Sequence, residues 1–195
     1  DEKASQKGYK IIYSSTKNNK TKAQELLQIF QDRHVDGYII ALPHGLEDEV
    51  KLLTKSRKPV VLFDRYFPDI KTDYVIINNH QGTYSAVKHL KDRGYKNIGF
   101  ITIDTIEQQM LDGLSGYEEA AKAEGLDSYV KKLTYAPSNE LIQEVADYLK
   151  DEKKLDAVIC ATNYITMASL RAIQKLGLKI PKDIALLSFD DFELL

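Results

Sequence analysis

Short apolar runs alternate with helical patterns along this chain, and that alternation restricts the fold more than any other feature. Tyr38–Leu42 (YIIAL), Val60–Phe63 (VVLF), Tyr74–Ile77 (YVII), Asn97–Ile103, Val130–Tyr135, Asp156–Ala161 and Ile184–Phe189 (IALLSF) read as strands. Continuous apolar runs of this length suit parallel strands covered on both faces. Tyr9–Ser14 (YKIIYS) reads as one more, following a helix end at Asp1–Lys7 that Gly8 closes. Between the strands, Lys20–Arg33 sets Ala23, Leu26, Leu27 and Phe30 at helical spacing. Further helices are expected over Glu47–Ser56, from Asn78-Asn79 through Leu90, and over Gln108–Ala123, Glu140–Lys150 and Tyr164–Leu176. Asn78, Asn79 and Ser138 can cap them, and Gly94, Gly125 and Gly177 can end them. Strand–helix alternation implies α/β architecture with parallel sheets. The Pro- and polar-rich stretch Pro68–Asp73 is the best internal boundary. Two similar α/β halves, residues 1–77 and 78–195, fit better than one continuous sheet.

Composition narrows the function classes. The 195 residues are 43% hydrophobic and 29% charged, as in a soluble globular protein. The formal net charge is −2, with 13 basic against 11 acidic residues up to Ile77 and 14 against 18 beyond it. Neither half has the basic excess of a phosphate-binding surface, so any DNA-reading element lies elsewhere. The one cysteine, Cys160, sits in the apolar run AVICA and reads as a small buried hydrophobe. That fits a reducing, cytoplasmic compartment. No run is long enough to span a bilayer and no signal peptide is visible.

No residue set supports catalysis. His34, His44, His80 and His89 form no metal motif, and neither a G-x-S-x-G elbow nor a phosphate-binding G-x-x-x-x-G-K loop appears. No metal and no cofactor is expected. The glycines of DGLSGY, Gly113 and Gly116, read as a solvated turn or kink within or beside a helix.

The carboxyl-terminal stretch is the most specific. Gly177 to Asp191, GLKIPKDIALLSFDD, resembles the G-L-x-I-P-x-D-(apolar run)-G-F-D-D signature of LacI/GalR-family transcription regulators. VDGYIIALP (from Val35) is similar to the family's V-D-G-I-I-(apolar)-x-P, and PVVLFDR (from Pro59) to P-V-V-(apolar)-x-D-R. VIINNHQGTYSAVKHLKDRGYKNIGFI (from Val75) resembles the family segment running V-x-x-D-N-x-x-G to H-L-x-x-x-G-H-x-x-I. The resemblance covers nearly the whole chain. It implies two Rossmann-like parallel-sheet lobes of the type I periplasmic-binding-protein kind, both incomplete. The chain would begin inside the family's first helix and stop before the segment that crosses back to the first lobe. The expectation is therefore that these residues are part of a longer polypeptide.

Asp64-Arg65 follows VVLF, Asn163 follows AVICAT, and Asp190 follows IALLSF. Ligands of open α/β sheets bind beyond the carboxyl ends of strands. Spacing alone would also allow helix caps or solvated loop charges at these positions. Carboxylates accept hydrogen bonds, Arg donates in a fork, and Asn does both, which suits a polyhydroxylated ligand. The resemblance implies that Asp64, Arg65, Asn163 and Asp190 contact an effector, most simply a carbohydrate, in a cleft between the lobes. Tyr164 and Phe67 are possible aromatic contacts, with Tyr66 and Phe192 nearby.

Two departures stand out. Gly113 occupies the position where the family's R-x-x-G-[YF] places an effector-binding Arg, and Asn163-Tyr164 stands where the family has N-D. A cation and a carboxylate are absent together, which points to an effector unlike the commonest sugars, or to a larger and more aromatic pocket. The resemblance further implies a homodimer that reads DNA through an amino-terminal helix-turn-helix absent from this chain, and no membrane partner. The alternative is a periplasmic sugar-binding protein of the same fold.

Overall fold

The computed structural model describes residues 2–136, 138–152 and 154–191. The chain divides into two compact units, Asp1–Ile76 and Ile77–Leu195.

The first unit carries α1 (Glu2–Ser5), α2 (Lys20–Asp32), β1 (Tyr38–Ile40), α3 (Glu47–Lys55), β2 (Val60–Phe63) and β3 (Asp73–Val75). Its strands form a parallel sheet in the order β1-β2-β3, with Ile39 opposite Val61 and Phe63 opposite Val75. Side chains alternate between sheet faces. Tyr38, Val60 and Leu62 therefore share one face, where they are buried with Ala23 and Leu27 of α2 and with Val50 and Leu53 of α3. Ile39, Phe63 and Val75 lie on the other face and are exposed. Asn19 caps α2 by accepting from the Lys22 N–H. Three carboxylates in the first turn of α3 and Lys55 in its last oppose the helix dipole favourably.

The strand expected at Tyr9–Ser14 does not form. Those residues are exposed, and no strand among the described residues pairs with them. Apolar composition supplies only half of a strand; the other half is a partner for its N–H and C=O groups.

The second unit carries α4 (Asn79–Asp92), β4 (Ile98–Ile103), α5 (Gln108–Ala123), β5 (Tyr129–Leu133), α6 (Ser138–Asp151), β6 (Ala157–Cys160), α7 (Asn163–Lys175) and β7 (Ala185–Ser188). The sheet is parallel throughout, in the order β5-β4-β6-β7. β4 and β6 are central, and all four residues of β6 are fully buried. This explains the unbroken apolar run of β6. Tyr117 of α5 is fully buried, and its hydroxyl donates to Ile98 O and accepts from the Tyr129 N–H, each at 2.8 Å. One side chain thus ties α5 to β4 and β5 without leaving a polar atom stranded.

Gly113 and Gly116 are buried inside α5, so the solvated turn expected there is corrected. A Cβ on Gly116 would lie 2.2 Å from the carbonyl oxygen of His80, so only glycine lets α4 and α5 approach this closely. Asn78 caps α4 by accepting from the Gln81 N–H. Ser138 is the first residue of α6 and not an external cap.

Candidate functional site

In the second unit, β4 leads through α5 to β5 on one side, and the chain then returns past β4 to β6 on the other. Strand order therefore reverses between β4 and β6, and the carboxyl ends around such a switch point are where α/β sheets hold ligands. Asn163 follows β6 and Asp190 follows β7, on that edge.

The two residues touch. Asp190 Oδ2 accepts from the Asn163 backbone N–H at 2.9 Å. Asn163 opens α7, whose cap is Thr162; Thr162 Oγ1 accepts from the Ile165 N–H at 3.3 Å. Asp190 thus supplies an acceptor to a first-turn amide that has no partner within the helix. Its anionic charge also meets the positive end of the helix dipole. The side chain of Asn163 is exposed and Asp190 is half-buried.

Tyr164 is engaged at the same edge. Its hydroxyl donates to Ala136 O, and its ring stacks on Tyr135 with centroids 4.9 Å apart at 7°. Tyr135 follows β5 and is 76% exposed. It was missing from the candidates named from sequence. Its signal would have been its place two residues beyond the end of β5, the same kind of place that singles out Asp190. Gly113, at the position of the family's Arg, is buried, and a Cβ on it would meet Thr83 Oγ1 at 3.5 Å and Phe100 Cζ at 3.8 Å. Phe192 lies outside the described residues.

In the first unit, Asp64 stands at the end of β2 with φ +65, a left-handed conformation that Asp tolerates better than most residues. Its N–H donates to Val75 O at 3.0 Å, and the Arg65 N–H donates to Phe63 O at 2.7 Å. Arg65 Nη1 donates to Asn18 Oδ1 at 2.6 Å, which ties the loop before α2 to the end of β2. Asn18 is itself left-handed, with φ +56, and was not anticipated. The Asp64 carboxylate is exposed, Arg65 half-buried. Tyr66 stacks on Tyr74 at 5.1 Å, and Phe67 packs half-buried against the core of the unit.

Other reactive groups are dispersed. Among the described residues no three His, Cys, Asp or Glu side chains gather as a metal site. Burial pushes the Cys160 thiol up to about 11, and its Sγ donates to Ser169 Oγ at 3.3 Å, so it is not a ready nucleophile. A groove of about 270 Å³ at the amino ends of β6 and β7 is lined chiefly by Leu149, Leu155, Leu176, Leu178 and Ile184. It lies at the opposite end of the sheet from Asp190, with Lys150 and Asp183 as its charged lining. No helix is long and apolar enough to cross a membrane among the described residues.

Comparison with known proteins agrees with this architecture. The periplasmic binding protein-like domain family matches residues 87–195. Catabolite control protein A of Priestia megaterium is 30% identical over 191 residues, covering 95% of this chain and 57% of that protein. The HTH-type transcriptional repressor PurR of Actinobacillus pleuropneumoniae is 24% identical over 194 residues, covering 98% and 57%. The chain thus spans under two thirds of the length of these relatives. A periplasmic binding protein/LacI transcriptional regulator from Alkaliphilus metalliredigens, solved with D-xylulofuranose, superposes with a TM-score of 0.83 at 24% identity, covering 100% of this chain and 72% of that one. The chain belongs to the periplasmic binding protein-like domain family.

Proposed function

We propose that this chain is the effector-binding core of a LacI/GalR-type transcriptional regulator and takes a small polyhydroxylated molecule, most simply a sugar. The observation that carries this reading is Asp190, held on the first amide of α7 at the carboxyl edge of the second sheet, within the segment that resembles the family signature. Asn163 and Asp190 contribute from the second unit, and Asp64 and Arg65 from the first. Tyr164 and Phe67 are the aromatic candidates. Residues 1–77 and 78–195 act as the two effector-binding lobes.

Effector binding alters DNA affinity by favouring one state of the regulator, and only by as much as its affinity differs between states. DNA would be read through an amino-terminal helix-turn-helix that this chain does not contain. A homodimer would carry two such heads, matched to half-sites about one helical turn apart. The protein works in the cytoplasm and catalyses no reaction. A periplasmic sugar-binding role is the second reading; relatives named as transcriptional regulators favour the first.

The test is thermal unfolding against a panel of pentoses, hexoses, sugar phosphates and nucleosides. A ligand at 100 times its dissociation constant should add about 2.7 kcal/mol. Stabilisation by a sugar is expected. Stabilisation by none of the panel, or turnover of any member, would contradict the proposal.

A further inference from the structure

We infer that Ser188 and Thr166 are positioning residues for Asp190, setting how its carboxylate is presented to the effector. The functional half of this inference rests on the effector reading above; the geometric half stands without it.

Two hydroxyls serve three contacts. Thr166 Oγ1 lies 2.9 Å from Thr162 O and 2.9 Å from Ser188 Oγ, and Ser188 Oγ lies 2.7 Å from Asp190 O. Each hydroxyl has one proton to donate, so one contact must go without. Thr162 O already accepts the Thr166 backbone N–H at 3.0 Å. Ser188 Oγ must donate to Asp190 O, which is a carbonyl, and the Thr166 proton is shared between Thr162 O and Ser188 Oγ. When the Thr166 proton lies on Ser188 Oγ, the chain runs from Thr166 through Ser188 to the Asp190 carbonyl, and each donor is polarised by the one behind it. Thr166 is fully buried, so its hydroxyl has no water to turn to.

The residue between them is pinned as well. The Phe189 N–H donates to Cys160 O at 3.0 Å, and the Phe189 ring lies where a Cβ on Gly82 would stand, 2.7 Å from its Cε2. With Ser188 to Asp190 held on both sides, the Asp190 side chain delivers Oδ2 to the Asn163 N–H. Ser188 stands where the resembled G-F-D-D signature has glycine, so the hydroxyl chain is a feature of this sequence. With Oδ2 accepting from α7, Oδ1 is the Asp190 oxygen left to accept from an effector hydroxyl.

Amide hydrogen exchange on the ligand-free chain tests the positioning. In Ser188→Ala and in Thr166→Val, the Asn163 amide should exchange about tenfold faster while the amides in the middle of α7 keep their rates. Thr166→Ser should restore slow exchange. Unchanged exchange at Asn163, or equal acceleration of every α7 amide, would overturn the inference, the second because it reports lost stability alone. If Asn163 responds as expected but no panel sugar stabilises the chain, the positioning stands and the effector reading falls.

Discussion

The carbonyl oxygen of His80 lies 2.2 Å from where a Cβ on Gly116 would stand, so the approach of α4 to α5 depends on the absence of one methyl group. Gly116→Ala should destabilise the chain by about 3 kcal/mol, the upper range of overpacking, because the obstructing atom is backbone and cannot swing aside. Gly113→Ala is the control. Its Cβ would meet Thr83 Oγ1 at an ordinary 3.5 Å, so the gain in helix propensity of up to about 1 kcal/mol should make it neutral or stabilising. Urea unfolding of the two variants checks the contrast.

Asn18 has two jobs that substitution can separate. It accepts from Arg65 Nη1 at 2.6 Å and holds a left-handed backbone at φ +56. Asn18→Gly removes the first and keeps the second, whereas Asn18→Ala removes both. Urea unfolding should find Ala less stable than Gly by about 1 kcal/mol, the cost of a left-handed L-residue.

The Tyr38 hydroxyl is buried with no hydrogen-bond partner among the described residues. Tyr38→Phe removes an unsatisfied polar group and keeps the ring that packs beside Val60 and Leu62. It should stabilise the chain by about 1 kcal/mol, read as a raised unfolding midpoint.

Cys160 should make stability fall at alkaline pH. Its thiol is pushed up to about 11 by burial, whereas an unfolded thiol titrates near about 8.5. Between these values the unfolded chain loses a proton that the folded chain keeps, so rising pH favours unfolding. The stability present below about pH 8.5 is lost as pH approaches about 11, by on the order of 3 kcal/mol. Cys160→Ala should flatten the slope between about pH 8.5 and 10. The wild-type thiol should resist an aromatic disulfide reagent at about pH 8 until the chain unfolds.

Much of the second unit was legible because its strands carry their own evidence. Val158, Ile159 and Cys160 are buried on both faces, and an unbroken apolar run is what that burial requires. Tyr9–Ser14 shows the limit: its composition is that of a strand, but pairing depends on a neighbour that no local pattern specifies. Gly113 and Gly116 misled for a related reason. Low helix propensity suggested a turn, while the true constraint was a helix 36 residues upstream of Gly116, at His80. Candidate site residues were legible as strand-end positions. Their partners were not, since Asp190 reaches Asn163 across 27 residues and Arg65 reaches Asn18 across 47.

The most direct test is calorimetric titration of the panel's most stabilising sugar into wild type, Asp190→Ala and Arg65→Ala. One saturable site is expected in wild type. Each variant should bind at least about tenfold more weakly, the loss of one charge-assisted hydrogen bond of roughly 1.5 kcal/mol or more. Equal affinity in all three proteins would mean that the sugar binds elsewhere and would contradict the assignment of Asp190 and Arg65 to the effector.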